Sequence, residues 1–128
     1  MKASLYVHIP LCLKKCDYCD FFSVTPRDFP RTTTKANKLP TDLIVAGLVD
    51  ELRACRAEYG LTAVDTVYIG GGTPSLLTGE DIAILCEAIR EYREAGDAPA
   101  SEWTIEANPE DLTDDWLESC ARGGINRL

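Results

Sequence analysis

The stretch "VDTVYIGGGTPSLLTGEDIAILCEAI", Val64–Ile89, carries one complete strand–turn–helix unit. Val64–Ile69 is a short β-rich run, and Gly70-Gly71-Gly72-Thr73-Pro74 punctuates its end. Thr78 with Asp81 has the spacing of a capping box variant, which opens a helix whose inner face is Ile82, Leu85, Cys86 and Ile89. Gly96 lies past its end.

The same unit recurs on both sides. Upstream, Lys2–Ile9 ("KASLYVHI") reads as a strand ended by Pro10. Thr41 is the expected N-cap of a helix running to about Tyr59, with Leu43, Ile44, Leu48, Leu52 and Cys55 as its apolar stripe and Gly60 as its stop. Downstream, Glu102–Ala107 ("EWTIEA") reads as a strand closed by Asn108-Pro109. Thr113 caps a third helix carrying Trp116, Leu117 and Cys120, which stops at Gly123-Gly124. Ile125–Leu128 then begins like a fourth strand. Strands alternating with helices predict an α/β fold with parallel strands and right-handed crossovers. The expectation for residues 1–128 is the N-terminal part of a (β/α) partial TIM barrel, broken off as its fourth strand begins. Ser23–Leu39, with its prolines and threonines and no clear period, reads as a long loop.

The 128 residues suffice for one modest core, and 45% apolar with 27% charged residues fits a soluble globular class. A net charge of −8 argues against nonspecific nucleic-acid binding, which rests on basic patches. The local basic excess, Lys14, Lys15, Arg27, Arg31, Lys35 and Lys38, reads as solvated. No apolar run is long enough to span a membrane. Residues Met1–Ile9 lack the apolar core of a signal peptide, which points to the cytoplasm, where thiols stay reduced.

"HIPLCLKKCDYCDFF", His8–Phe22, sets Cys12, Cys16 and Cys19 within eight residues. Thiolates hold soft metals, and iron–sulfur clusters are held by Cys. Three thiolates on a four-iron cube leave one iron open for chemistry. A zinc site with His8 as fourth ligand and a disulfide with one free thiol are the plainer alternatives. Cys55, Cys86 and Cys120 sit at apolar helix positions and read as core. Strand ends at the C-terminal face of a barrel build its active site, and the Cys loop, Gly70–Pro74 and Glu106 all fall there.

The motif Cys12-x3-Cys16-x2-Cys19, with Tyr18 before the last Cys, resembles the signature of the radical S-adenosylmethionine (SAM) family. That resemblance implies a 4Fe–4S cluster held by Cys12, Cys16 and Cys19, whose open iron takes the amino and carboxylate groups of SAM. An electron from the cluster then cleaves the sulfonium to a 5′-deoxyadenosyl radical. "LYVHIPLCLKKCDYCDF", "VYIGGGTPSLL", "TIEANPEDL" and "GGINRL" resemble, in this order, the subgroup holding oxygen-independent coproporphyrinogen III oxidase and its heme-chaperone relative. The resemblance implies that Tyr6 contacts SAM, that Tyr18 lines its pocket, that Gly71, Gly72 and Thr73 bind it through backbone and hydroxyl, and that Glu106 holds the ribose. The oxidase pattern has a further Cys two residues after the third, where this chain has Phe21. That departure favours the chaperone type, which implies heme as ligand, a heme-acceptor protein as partner and an electron donor such as a flavodoxin or ferredoxin. The oxidase, acting on a porphyrin precursor, and a structural zinc domain remain as alternatives.

Overall fold

The computed structural model describes residues 2–29, 39–92 and 102–128. Three strands, β1 (Lys2–Ile9), β2 (Ala63–Gly71) and β3 (Glu102–Ile105), form one parallel sheet in the order β1-β2-β3. Three helices, α1 (Thr41–Tyr59), α2 (Gly79–Arg90) and α3 (Asp114–Gly123), connect or follow them. The alternation of strands with helices and the parallel direction expected from the sequence are therefore found. Beyond α3, Arg127 forms a parallel bridge with Thr104, and the Ile105 N–H donates to the Arg127 carbonyl over 3.1 Å. This isolated bridge beside β3 falls within Ile125–Leu128, where a fourth strand is expected.

One face of the sheet is buried under the helices. Val7, Ile9, Val67, Ile69, Trp103 and Ile105 point into the core formed with Val45, Ile82, Leu85, Ile89 and Trp116. The other face carries the alternate residues Ser4, Tyr6, His8, Thr66, Tyr68 and Glu102, which are exposed or half-buried. The period of two in β1 and β2 separates these sets, while in β3 Thr104 is buried as well. Everything chemically distinctive lies on the second face or at the C-terminal ends of the strands.

The helices are tied to the core by their ends. Thr78 Oγ1 accepts from the Asp81 N–H (3.1 Å), and the Thr78 N–H donates to Asp81 Oδ2 (2.9 Å), so the expected capping box is complete. Thr113 accepts from the Trp116 N–H at the start of α3. Trp116 Nε1–H donates to the Leu77 carbonyl (3.1 Å), and Tyr92 OH donates to the Leu52 carbonyl (3.1 Å), joining α2 to α1.

Helix α1 departs from expectation at its start and on its face. Thr41 is the first helical residue, and Pro40 is the N-cap, its carbonyl accepting the first helical bond from the Ile44 N–H (3.2 Å). The buried row is Thr41, Val45, Val49 and Leu52, while Leu43 is 60% exposed. Ile44 and Leu48 are partly buried. They line, with Leu5, Tyr6 and Cys55, a groove of about 560 Å³ between α1 and β1. Cys55 is thus half-buried at a groove wall, whereas Cys86 and Cys120 are core residues as expected. At the helix end, Gly60 takes the left-handed conformation (φ 61°) that stops α1 where the sequence placed the stop.

The described start of the long loop is held by the segment after β1. Val24 pairs with Leu11, and Pro26–Asp28 makes a single 3₁₀ turn whose Asp28 Oδ2 accepts from the Thr25 N–H (2.6 Å). Arg31, Lys35, Lys38 and Gly96 lie outside the described residues. Among the described residues no helix is long and apolar enough to cross a membrane.

Candidate functional site

Three loops meet at the C-terminal ends of the strands. The loop after β1 holds Cys12, Cys16 and Cys19, the turn after β2 holds Gly71, Gly72 and Thr73, and Glu106 directly follows β3. Parallel pairing is what gathers them: strands that run the same way end on the same side.

The first two loops are fitted together by backbone. The Gly72 N–H donates to the Ile9 carbonyl over 2.8 Å. A Cβ added to Gly72 would lie 2.5 Å from the Leu11 oxygen and 3.0 Å from Cys12 Sγ. Only glycine allows the turn to approach the cysteine loop this closely. Thr73 Oγ1 stands 3.6 Å from Cys12 Sγ as a donor to sulfur. Gly71 has φ 111°, and a Cβ there would meet the His8 ring at 2.7 Å.

His8 tethers the far end of the cysteine loop. Its Nε2 is 2.7 Å from the Phe22 carbonyl oxygen, which can only accept, so Nε2 carries the proton. Nδ1 is then the acceptor, and Tyr6 OH donates to it over 2.9 Å. Both ring nitrogens are thus engaged.

The second and third loops meet at Glu106. Its N–H donates to the Ile69 carbonyl (2.9 Å), extending the β3 pairing by one bond. Its carboxylate accepts from Tyr68 OH at Oε1 (2.6 Å) and from the Gly71 N–H at Oε2 (3.3 Å). The hydrogen bond to Glu106 pushes the Tyr68 phenol above its ordinary pKa, with burial adding to it. Tyr6 lies beside Tyr68, ring centroids 6.1 Å apart. Its phenol is also raised, first by burial and then by the Glu106 charge.

The expected residues are therefore joined in two groups. Cys12 meets Gly72 and Thr73; Glu106 meets Gly71, and Tyr6 stands next to both His8 and Tyr68. Tyr18 stands apart. It is 89% exposed, its phenol is raised chiefly by a hydrogen bond to the Cys16 side chain, and among the described residues no hydrogen bond or ring contact ties it to Gly71, Gly72, Thr73 or Glu106. With Cys19, Asp20 and Phe21 it lines a shallow depression of about 410 Å³.

Two contributors carried no sequence signal of their own. Tyr68 hides in a strand pattern that any aromatic would satisfy. Ser75 is 6% exposed; its hydroxyl donates to Asp111 Oδ2 (2.7 Å) and accepts from the Asn108 N–H (3.1 Å), joining the loop after β2 to the loop after β3. A serine after a proline in a turn signals a loop, and its partners lie more than thirty residues away.

The model of the radical SAM superfamily matches residues 6–128. The chain belongs to the radical SAM superfamily. This radical SAM chain is 36% identical over 124 residues to the protein named heme chaperone HemW of Mycobacterium tuberculosis, covering 97% of the chain and 30% of that relative. It is 38% identical over 125 residues to the HemW of Escherichia coli, covering 98% of the chain and 30% of the relative. A mitochondrial radical S-adenosyl methionine domain-containing protein 1 of Bos taurus is 35% identical over 128 residues, with 99% and 26% covered. Among solved structures, the coproporphyrinogen III oxidase (HemN) of Escherichia coli, titled a radical SAM enzyme, matches with a TM-score of 0.74 at 28% identity, over 98% of this chain and 26% of that one. The fold is thus that of the partial barrel seen in that oxidase. The chain spans about a third or less of the length of these relatives.

Membership in the radical SAM superfamily implies a 4Fe–4S cluster and SAM. The donor set of this chain fits such a group. Cys12, Cys16 and Cys19 are free thiols on one loop, half-buried or exposed. Among the described residues no three His, Cys, Asp or Glu side chains gather closely enough for a single metal ion.

Proposed function

We propose that this chain forms the cluster- and SAM-binding part of a heme chaperone. Cys12, Cys16 and Cys19 hold the cluster. Gly71, Gly72 and Thr73 bind SAM through the backbone and hydroxyl, Tyr6 contacts it, Tyr18 lines its pocket, and Glu106 accepts from its ribose. The observation that carries this reading is the meeting of the three loops at one end of a parallel sheet, with Gly72 seated against the Cys12 segment. When bound, the cluster supplies one-electron reduction beside an iron that three thiolates leave open. The protein's part is to hold SAM there: Thr73 Oγ1 faces Cys12 Sγ, and Glu106 offers acceptor sites on both oxygens.

The names of the HemW relatives support heme as the cargo, delivered to an acceptor protein, and Phe21 supports the chaperone over the oxidase because it stands where the oxidase pattern has a further Cys. The solved HemN structure favours the second reading, oxidation of coproporphyrinogen III, through its 28% identity across the chain. An electron donor such as a flavodoxin or ferredoxin serves either reading, and the cytoplasm is the compartment we assign.

The test uses the full-length protein loaded anaerobically with iron and sulfide. The chaperone reading expects stoichiometric binding of hemin and release to an apo-heme protein, with no decarboxylated product from coproporphyrinogen III. Decarboxylation without hemin binding would replace it with the oxidase reading. A colourless protein that binds zinc instead of iron and sulfide would sink both.

A further inference from the structure

Glu106 does not stand alone at the end of β3. Tyr68, on β2, points its hydroxyl at Oε1 over 2.6 Å, while the Gly71 N–H reaches Oε2 over 3.3 Å. These two donors come from one strand and its turn and grip the two oxygens separately. We propose that Tyr68 is a positioning residue for SAM, fixing the Glu106 carboxylate so that both its oxygens present a free acceptor site to the ribose. This rests on the reading of Glu106 as the ribose acceptor.

A carboxylate has about four acceptor sites. One on Oε1 is taken by Tyr68 and one on Oε2 by Gly71, which leaves at least one on each oxygen. Neighbouring hydroxyls of a ribose form a pair of donors suited to such a pair of sites. Without Tyr68, Oε1 would have no fixed partner, and the side chain would swing about its bond to Gly71. Glu106 is exposed, so water would offer no fixed alternative. The local cation does not do this work: Arg127 Nη1 is held by Glu102 Oε1 at 2.7 Å.

A second observation fits the pairing. A Cβ on Gly70 would lie 2.7 Å from Tyr68 Cε1 and 3.0 Å from Glu106 Oε2. The first glycine of the triplet thus clears room for this phenol and this carboxylate, whereas Gly72 clears room for the cysteine loop. The Tyr6 ring, tilted 32° to Tyr68, walls its other side.

The experiment is equilibrium dialysis of labelled SAM against the full-length, cluster-loaded protein, with iron counted for each variant. Tyr68→Phe should keep its iron and bind SAM about three- to tenfold more weakly, and Glu106→Ala about ten- to hundredfold more weakly. The double variant should bind no worse than Glu106→Ala, because Tyr68 acts through that carboxylate. Glu110→Ala, in the following turn, should match the parent. Ultraviolet titration without SAM should show the Tyr68 and Tyr6 phenols ionising at lower pH in Glu106→Gln. Parent-like affinity in Tyr68→Phe beside a weakened Glu106→Ala would overturn the proposal and leave the ribose reading intact. Parent-like affinity in Glu106→Ala would remove the ribose reading and the proposal together. Additive losses, or lost iron in Tyr68→Phe, would also overturn it, since Tyr68 would then touch SAM directly or merely support the loop.

Discussion

Gly72 and Leu11 approach so closely that a single added methyl on the glycine would stand 2.5 Å from the leucine carbonyl oxygen. That obstacle is backbone, which cannot rotate away. Gly72→Ala should therefore move the segment leading into Cys12, costing about 1–3 kcal/mol of stability by overpacking and lowering iron uptake although no ligand is changed. Gly47→Ala is the control. Nothing lies within 4 Å of its added methyl, and helix propensity should stabilise α1 by about 0.5–1 kcal/mol. Iron and sulfide analysis with chemical denaturation checks both, and full iron loading in Gly72→Ala would refute the fit between the loops.

The six cysteines should divide into two sets. Alanine at Cys12, Cys16 or Cys19 should abolish cluster loading. Alanine at Cys55, Cys86 or Cys120 should preserve it, with stability lost at the two buried sites. A Cys16→Ala protein that stayed brown would break the ligand assignment.

Burial pushes the Cys86 thiol up to about 11 and the Cys120 thiol up to about 12, from an ordinary 9.0. Both raised values favour the protonated thiol in the folded state. The stability tied to them is fully present below about pH 9 and is lost as pH rises through 11 to 12. At pH 8, iodoacetamide should label neither residue in the native cluster-free protein and both after denaturation, read by mass spectrometry. Native labelling of Cys86 would show that α3 does not cover it.

Ser75→Ala removes one donor and one acceptor at a nearly buried position. The Asn108 N–H loses its partner, so a cost of about 1–3 kcal/mol is expected by denaturant melting. A change under about 0.3 kcal/mol would mean that water replaces the hydroxyl without loss.

The strands and their parallel direction were legible because each strand is short, rich in β-branched or aromatic residues and closed by Gly or Pro. The starts of α2 and α3 were legible because Thr78 and Thr113 cap them by local chemistry. The face of α1 was not. Leu43, Ile44, Val45, Leu48, Val49, Leu52 and Cys55 spread apolar residues over more than one stripe, and only packing against α2 and the sheet chooses Val45 and Val49 over Leu43. Pro40 carries no capping side chain, so Thr41 drew the assignment. At the site, the three loops were visible as motifs, since each has local punctuation. The Tyr68–Glu106 bond spans thirty-eight positions and depends on strand register, which pairs Tyr68 with Thr104 two residues before Glu106. A hydroxyl rather than a bare ring at that position has meaning only once the register is known.

Ser75 does more than satisfy two polar groups. With one hydroxyl bonded to Asp111 and Asn108, the glycine turn and the Asn-Pro turn share a single joint where two independent hinges could have been. Displacing Pro74–Leu76 drags Pro109–Asp111 with it, so the floor under Thr73 and the shoulder behind Glu106 move as one plate. Any ligand spanning the two turns meets a surface whose spacing is already set before it arrives.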